Sequence, residues 1–328
     1  MEIEGIYRDW LTSIDLAKSR VARFPSLVFL CGGEVSDSGD TFRSCRDIFV
    51  DHVASNGYTF KDNIVLAEKV FTYFEHSAYD DLFHFEKDLA ELSLLTVILS
   101  ESPGSIAELG SFSALPIIQD KLLVVMHSDD SEKESFIWRG PISHLRHRAT
   151  QNDQGDPIAI YNWQRRTDDP VSMRSEDFAD ARDLAEYISE LLEAAHKTSE
   201  FRSSDVGHIM LFMIDLLRVV SIANLAEIEQ MMNFVNLAHG RKQIEQWLSL
   251  LVSLGYIKRH SYRNTKYFLP GSGGSWLSIG FRSQAQIRDI DRWQSRFVEY
   301  YEIEEVPKAR ALKALFQRNS GKEMETHP

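Results

Sequence analysis

One stretch restricts the fold more than any other: Thr96-Val97-Ile98-Leu99-Ser100-Glu101-Ser102-Pro103-Gly104-Ser105-Ile106-Ala107-Glu108-Leu109-Gly110-Ser111-Phe112. A β-branched run stops at a Ser/Pro/Gly turn, and the turn opens a helix that carries Glu108. A strand feeding a helix N-terminus through a tight turn is how a parallel α/β sheet makes room for an anionic or ribose-bearing ligand. Two further apolar runs, Leu27 to Cys31 before Gly32-Gly33 and Leu122 to Met126, read as strands buried on both faces. Weaker strands are expected at Asn63 to Leu66 and Ile158 to Tyr161. Helical spacing is found at residues 6–23, 41–56, 82–94 and 175–197, and Phe136 to Pro141 reads as a turn into a short helix. This alternation predicts an α/β fold, a doubly wound parallel sheet, over residues 1–200.

Near residue 200 the pattern becomes mostly helical. Helices are expected at Ile209 to Ile222, Leu225 to Phe234 and Arg241 to Leu254, and Tyr256 to Leu269 then alternates around an Arg-Asn turn. Three helices and a basic hairpin are the layout of a winged helix, assigned to residues 201–328 with two closing helices at 282–302 and 307–318. Arg241, Lys242, Lys258, Arg259, Arg263 and Lys266 gather there, with Trp247, Tyr256, Tyr262 and Tyr267 interleaved, a pattern for phosphate contact and base stacking. Protein docking is the alternative use of the same layout. The net charge of -13 excludes a chain that binds nucleic acid over its whole surface but leaves such a local patch intact.

The candidate chemistry centres on Glu108. A carboxylate one turn inside the helix can attack an anomeric carbon or steady an oxocarbenium-like transition state; the plainer alternative is an acid favoured by the helix dipole. Glycosidic chemistry generally pairs two carboxylates, and Glu68, Glu86, Asp88 and Glu91 are the available partners, most of them expected on solvated helix faces. Glu86 is the preferred partner. Gly32 and Gly33 would let a sugar or phosphate approach the backbone, Pro103, Gly104 and Ser105 would shape the pocket, and Arg43 or Arg46 would neutralise a phosphate unless spent on surface ion pairs. The chain has no GxGxxG, Walker lysine, HExxH or Gly-x-Ser-x-Gly, so neither a metal nor a bound cofactor is expected. Cys31 and Cys45 make no disulfide framework, the start lacks a leader pattern, and no apolar run spans a bilayer; a cytoplasmic protein without membrane contact is the expectation.

Leu30-Cys31-Gly32-Gly33, the Glu86-to-Leu99 unit, Glu101-Ser102-Pro103-Gly104-Ser105-x-x-Glu108-Leu109-Gly110-x-Phe112-Ser113, Phe136-Ile137-x-x-Gly140-Pro141 and the terminal His327-Pro328 together resemble the nucleoside 2-deoxyribosyltransferase-like effectors of bacterial retron anti-phage systems. The resemblance implies an N-glycosidase toxin that associates with a retron reverse transcriptase and its multicopy single-stranded DNA, which restrain it until infection. It maps the nucleophile onto Glu108. The transferases also carry a base-handling Asp shortly before the motif, where this chain has Leu94 and Leu95; Glu86 or Asp88 is the substitute, and the gap favours hydrolysis over base exchange. The expected substrate is a nucleotide, NAD first and free nucleotides second. A homo-oligomer or larger assembly is compatible with this reading. Two competing expectations are a non-catalytic nucleotide-sensing DNA-binding regulator and a salvage deoxyribosyltransferase.

Overall fold

A computed structural model describes residues 3–36, 41–66, 72–131, 134–165, 172–195, 198–271, 273–303 and 308–310. The chain forms two compact units that are not consecutive in sequence. Residues 24–75 and 80–197 make a sheet unit; residues 1–23, 76–79 and 198–328 make a helical unit. The first 23 residues, read from sequence with the α/β part, therefore cluster with the C-terminal part.

They also do not form one helix. Helix α1 (Ile3–Ser13) buries Ile6, Tyr7, Trp10 and Leu11 and stops. The chain then extends, and Arg20–Val21 pairs antiparallel with Leu277–Ser278 on one side and Ser199–Glu200 on the other. The expectation of a helix to residue 23 is corrected by these long-range strand contacts, which periodicity within a window cannot register.

The sheet unit contains β1 (Val28–Cys31), β2 (Ile64–Leu66), β3 (Leu95–Leu99), β4 (Leu122–His127) and β5 (Ile158–Tyr161). All neighbours are parallel, in the order β2-β1-β3-β4-β5. Its longer helices are α2 (Cys45–Asn56), α3 (Leu82–Leu92), α4 (Pro103–Phe112), α5 (Ser143–Gln151) and α6 (Ala181–Ala195). Alternation along the strands divides the core. Val28, Leu30, Val97, Leu99, Leu123 and Val125 pack with Ile48, Phe49 and Val53 of α2 and Leu184, Ala185 and Ile188 of α6. The intervening positions face the other way, where Phe29 meets Phe112 of α4 with ring centroids 6.2 Å apart. Helices thus cover both faces, which is why β1, β3 and β4 are apolar without interruption. Each fully buried Val, Leu, Ile or Phe contributes about 1.5–3 kcal/mol.

Local signals place the ends of these elements. Ser44 caps α2 by accepting from Asp47 N at 3.0 Å, and Gly57 ends it at φ 69°, a left-handed conformation that glycine adopts without a Cβ penalty. Pro141 sits within a π-helical turn, Trp138–Ile142, that leads into α5. The helix expected at 175–197 begins as a 3-10 turn, Ser175–Phe178, before α6.

In the helical unit, α7 (Val206–Val220) precedes β6 (Ala223–Asn224), α8 (Leu225–Phe234), α9 (Arg241–Ser253), β7 (Ile257–Tyr262) and β8 (Thr265–Pro270). These strands form an antiparallel sheet in the order β6-β8-β7. Helix α10 (Ile290–Ile303) follows, starting later than the expected residue 282. Phe297 of α10 lies against Tyr7 and Trp10 at 5.5 and 5.7 Å. The helix expected at 307–318 and the terminal His327-Pro328 fall almost wholly outside the described residues, which include only 308–310 of that span. Among the described residues, no helix is long and apolar enough to cross a membrane.

Candidate active site

In a parallel sheet of this order, β1 and β3 lie side by side while their chains leave towards opposite faces. The crevice beyond their carboxyl ends is where such sheets receive ligands. Gly32-Gly33 follows β1 and Ser100 to Ser102 follows β3, so both sequence motifs meet at that crevice.

The turn after β3 is braced from within. Ser102 is the N-cap of α4 and accepts from Ser105 N at 3.1 Å; Ser105 Oγ accepts from Ser102 N at 3.1 Å and from Glu101 N at 3.2 Å. Ser102 Oγ also donates to Gly32 O at 3.1 Å, which ties the turn to the end of β1. Ser105 is buried in this network, whereas Pro103 and Gly104 are exposed at the mouth of the helix.

Glu101 has a central place that the sequence reading did not give it. Its carboxylate accepts from Gly33 N at 2.9 Å, Cys45 N at 2.7 Å and Arg46 N at 3.0 Å. The α2 N-terminus, otherwise a ready anion site, is thus filled by the protein's own carboxylate. A Cβ at Gly32 would lie 2.9 Å from Arg46 Cβ, and one at Gly33 would lie 2.5 Å from Ser44 Cβ. These glycines admit the first turn of α2 against the end of β1. Arg46 is buried and donates to Leu30 O at 3.2 Å, while Arg43 pairs with Glu34 at 2.9 Å in an exposed position.

The acids of α3 are buried: Glu86, Asp88 and Glu91 are 8%, 7% and 4% exposed. This corrects the expectation of solvated faces. Lys87 compensates two of them, at 3.2 Å from Asp88 and 2.8 Å from Glu91. Glu86 is governed instead by burial first and the charge of Glu108 second, and together they push it up to about 8. Cys31, at the end of β1, is fully buried and experiences the charges of Glu108 and Glu86. Burial, followed by these two acids, raises the thiol well above its ordinary value. The structure therefore gathers Glu86, Glu108 and Cys31, an acid that keeps its proton near neutrality beside a second carboxyl group. Such a pairing suits proton transfer and nucleophilic attack within one site. Glu68 lies outside the described residues.

The cationic residues expected around the third helix and the hairpin are exposed: Arg241, Lys242, Lys258, Arg259, Arg263 and Lys266. Arg241 pairs with Glu229 at 3.6 Å, and Arg263 lies over the Tyr262 ring at 5.7 Å. The aromatics expected among them mostly face inward. Trp247 and Tyr267 are core residues, and Tyr256 is packed edge-on against Trp276 at 5.5 Å. Helix-to-hairpin packing uses them, which leaves Tyr262 as the partly exposed ring on the hairpin.

Residues 43–259 match the family described as STM3845 retron effector protein. Among curated proteins, the chain is 30% identical over 126 residues to a retron Ec73 protein of Escherichia coli whose name carries the words ribosyltransferase/DNA-binding protein; the match covers 38% of this chain and 39% of that one. It is 32% identical over 129 residues to a similarly named retron Ec86 protein of Escherichia coli, covering 39% of each. The chain thus spans about two-fifths of the length of the curated relatives it matches.

Proposed function

Because the chain belongs to the STM3845 retron effector family, we propose that it serves retron-based defence and that its sheet unit is an N-glycosidase acting on a nucleotide. The observation that carries this reading is the pairing of the buried Glu86 with the half-buried Glu108 beside the turn after β3. Glu108 attacks the sugar C1′, the C1′–N bond breaks, and its electron pair leaves with the base. A base departing as an anion takes the Glu86 proton; nicotinamide departs neutral and needs none. Water then displaces the Glu108 ester and gives its proton to Glu86, which is ionised at that point either because it has protonated the departing base or, with nicotinamide, because it entered the cycle ionised. The fold resemblance to nucleoside deoxyribosyltransferases is part of this reading, and the ribosyltransferase wording in the relatives' names supports it.

NAD is the first substrate and free nucleotides the second, because loss of NAD arrests growth without a specific nucleic-acid target. The helical unit is read as a winged helix, supported by the succession α7-β6-α8-α9-β7-β8 and its exposed basic hairpin. Through it the effector engages the retron's multicopy single-stranded DNA and reverse transcriptase, which restrain it. The test is release of free base from NAD and from nucleotides by the purified chain with and without those partners, the chain alone turning over and the restrained complex releasing less. Glu108→Gln is expected to lower turnover by a thousandfold or more, on the order seen for loss of a nucleophile. Full activity in that variant overturns the assignment.

The words DNA-binding in the relatives' names and the exposed hairpin cations favour a second reading, a nucleotide-sensing regulator. It predicts tight nucleotide binding without turnover and sequence-specific duplex binding. A salvage deoxyribosyltransferase has no use for the helical unit.

A further inference from the structure

Position along β1 and α4 brings Cys31 into the glycosidic site. Phe29 and Phe112 meet across the sheet–helix interface at 6.2 Å. Cys31 is two residues beyond Phe29 on the same face of β1, and Glu108 is one turn before Phe112 on the same side of α4. Two strand residues advance about 6.6 Å and four helical residues about 6 Å. Helix α4 runs back along the sheet, so the Cys31–Glu108 pair stacks directly on the Phe29–Phe112 pair. The thiol is fully buried, and after burial itself the Glu108 carboxylate is the neighbour that acts on it most strongly.

We propose that Cys31 is a positioning residue whose S–H donates to Glu108 and fixes the orientation in which that carboxylate meets the sugar carbon. This rests on the reading of Glu108 as the attacking group. A thiol suits the task because it is a weak donor. It orients a carboxylate while drawing little electron density from it, so nucleophilic strength is retained. Burial among acids also keeps it neutral, so the donor persists across the working pH range. Cys45 has a different setting, with its N–H on Glu101 at the start of α2.

The test combines infrared spectroscopy with kinetics. The S–H stretch falls in a window clear of other protein bands, and subtracting the spectrum of Cys31→Ser isolates the Cys31 band. It is expected at lower frequency than a free thiol and should move up in Glu108→Gln. In turnover, Cys31→Ala should lower kcat about ten- to a hundredfold with little change in KM, the range for losing a hydrogen bond to a charged group. Cys31→Ser should recover most of that loss, and circular dichroism of both variants checks folding. A Cys31 band unmoved by Glu108→Gln, or Cys31→Ala turning over at the full rate, overturns this proposal alone. If the unaltered protein releases no base from any nucleotide, the glycosidase reading fails and takes the proposal with it.

Discussion

Glu86 is a carboxyl group held protonated by its surroundings, and that has consequences on two axes. Its pKa rises from an ordinary 4.5 to about 8 in the folded protein. The native state therefore binds a proton that the unfolded chain has released. Stability from this group is complete below the unfolded value and is lost as pH rises through about 8. Urea midpoints measured from roughly pH 5 to 9 should fall in the unaltered protein and stay flatter in Glu86→Gln. Catalysis separates substrates on the same axis. Where the base must be protonated, the rate should decline above about pH 8. With NAD, whose nicotinamide needs no proton, the rate should rise as Glu86 becomes able to accept one from water. In either case Glu86→Gln should flatten the profile and reduce turnover by about 10²–10⁴-fold.

At the level of elements, the joint between β1, α2 and the turn after β3 is held by Glu101. Three N–H donors converge on one carboxylate. Removing it leaves buried donors without an acceptor and an uncompensated helix N-terminus. Glu101→Ala is expected to destabilise the sheet unit by about 2–4 kcal/mol, measured by urea denaturation, with Glu101→Gln intermediate because it keeps an acceptor and loses the charge. This residue also marks where sequence reading ends. Strand β5 and helix α8 have the limits their residues suggested, since apolar patterning and helical spacing are local signals. Glu101 reads as one more acid in a turn, because its partners lie 55 to 68 positions away. The i,i+4 spacing of Lys87 and Glu91 offered a clue that the α3 acids were compensated; their burial depended on packing that no short window contains. The aromatics near the hairpin misled for the same reason, since a tyrosine between lysines looks the same in sequence whether it faces water or the core.

For the whole molecule, the acidic total of -13 coexists with a hairpin whose exposed cations are Lys258, Arg259, Arg263 and Lys266. If these four contact phosphates, replacing all four with Gln should weaken binding to single-stranded DNA and reduce the slope of log affinity against log salt by about three. An unchanged slope would move the nucleic-acid contacts elsewhere. The two units also differ in how they are threaded. In the helical unit, Lys308 Nζ donates to Tyr7 Oη at 2.8 Å across 301 positions, and Phe297 covers Tyr7 and Trp10. On the ribosome, α1 is made first and must wait for these late partners, whereas the sheet unit has all of its residues by position 197. A nascent chain interrupted in the final third would carry a finished candidate active site and a bare apolar α1, ready for capture by chaperones or proteases before it is released.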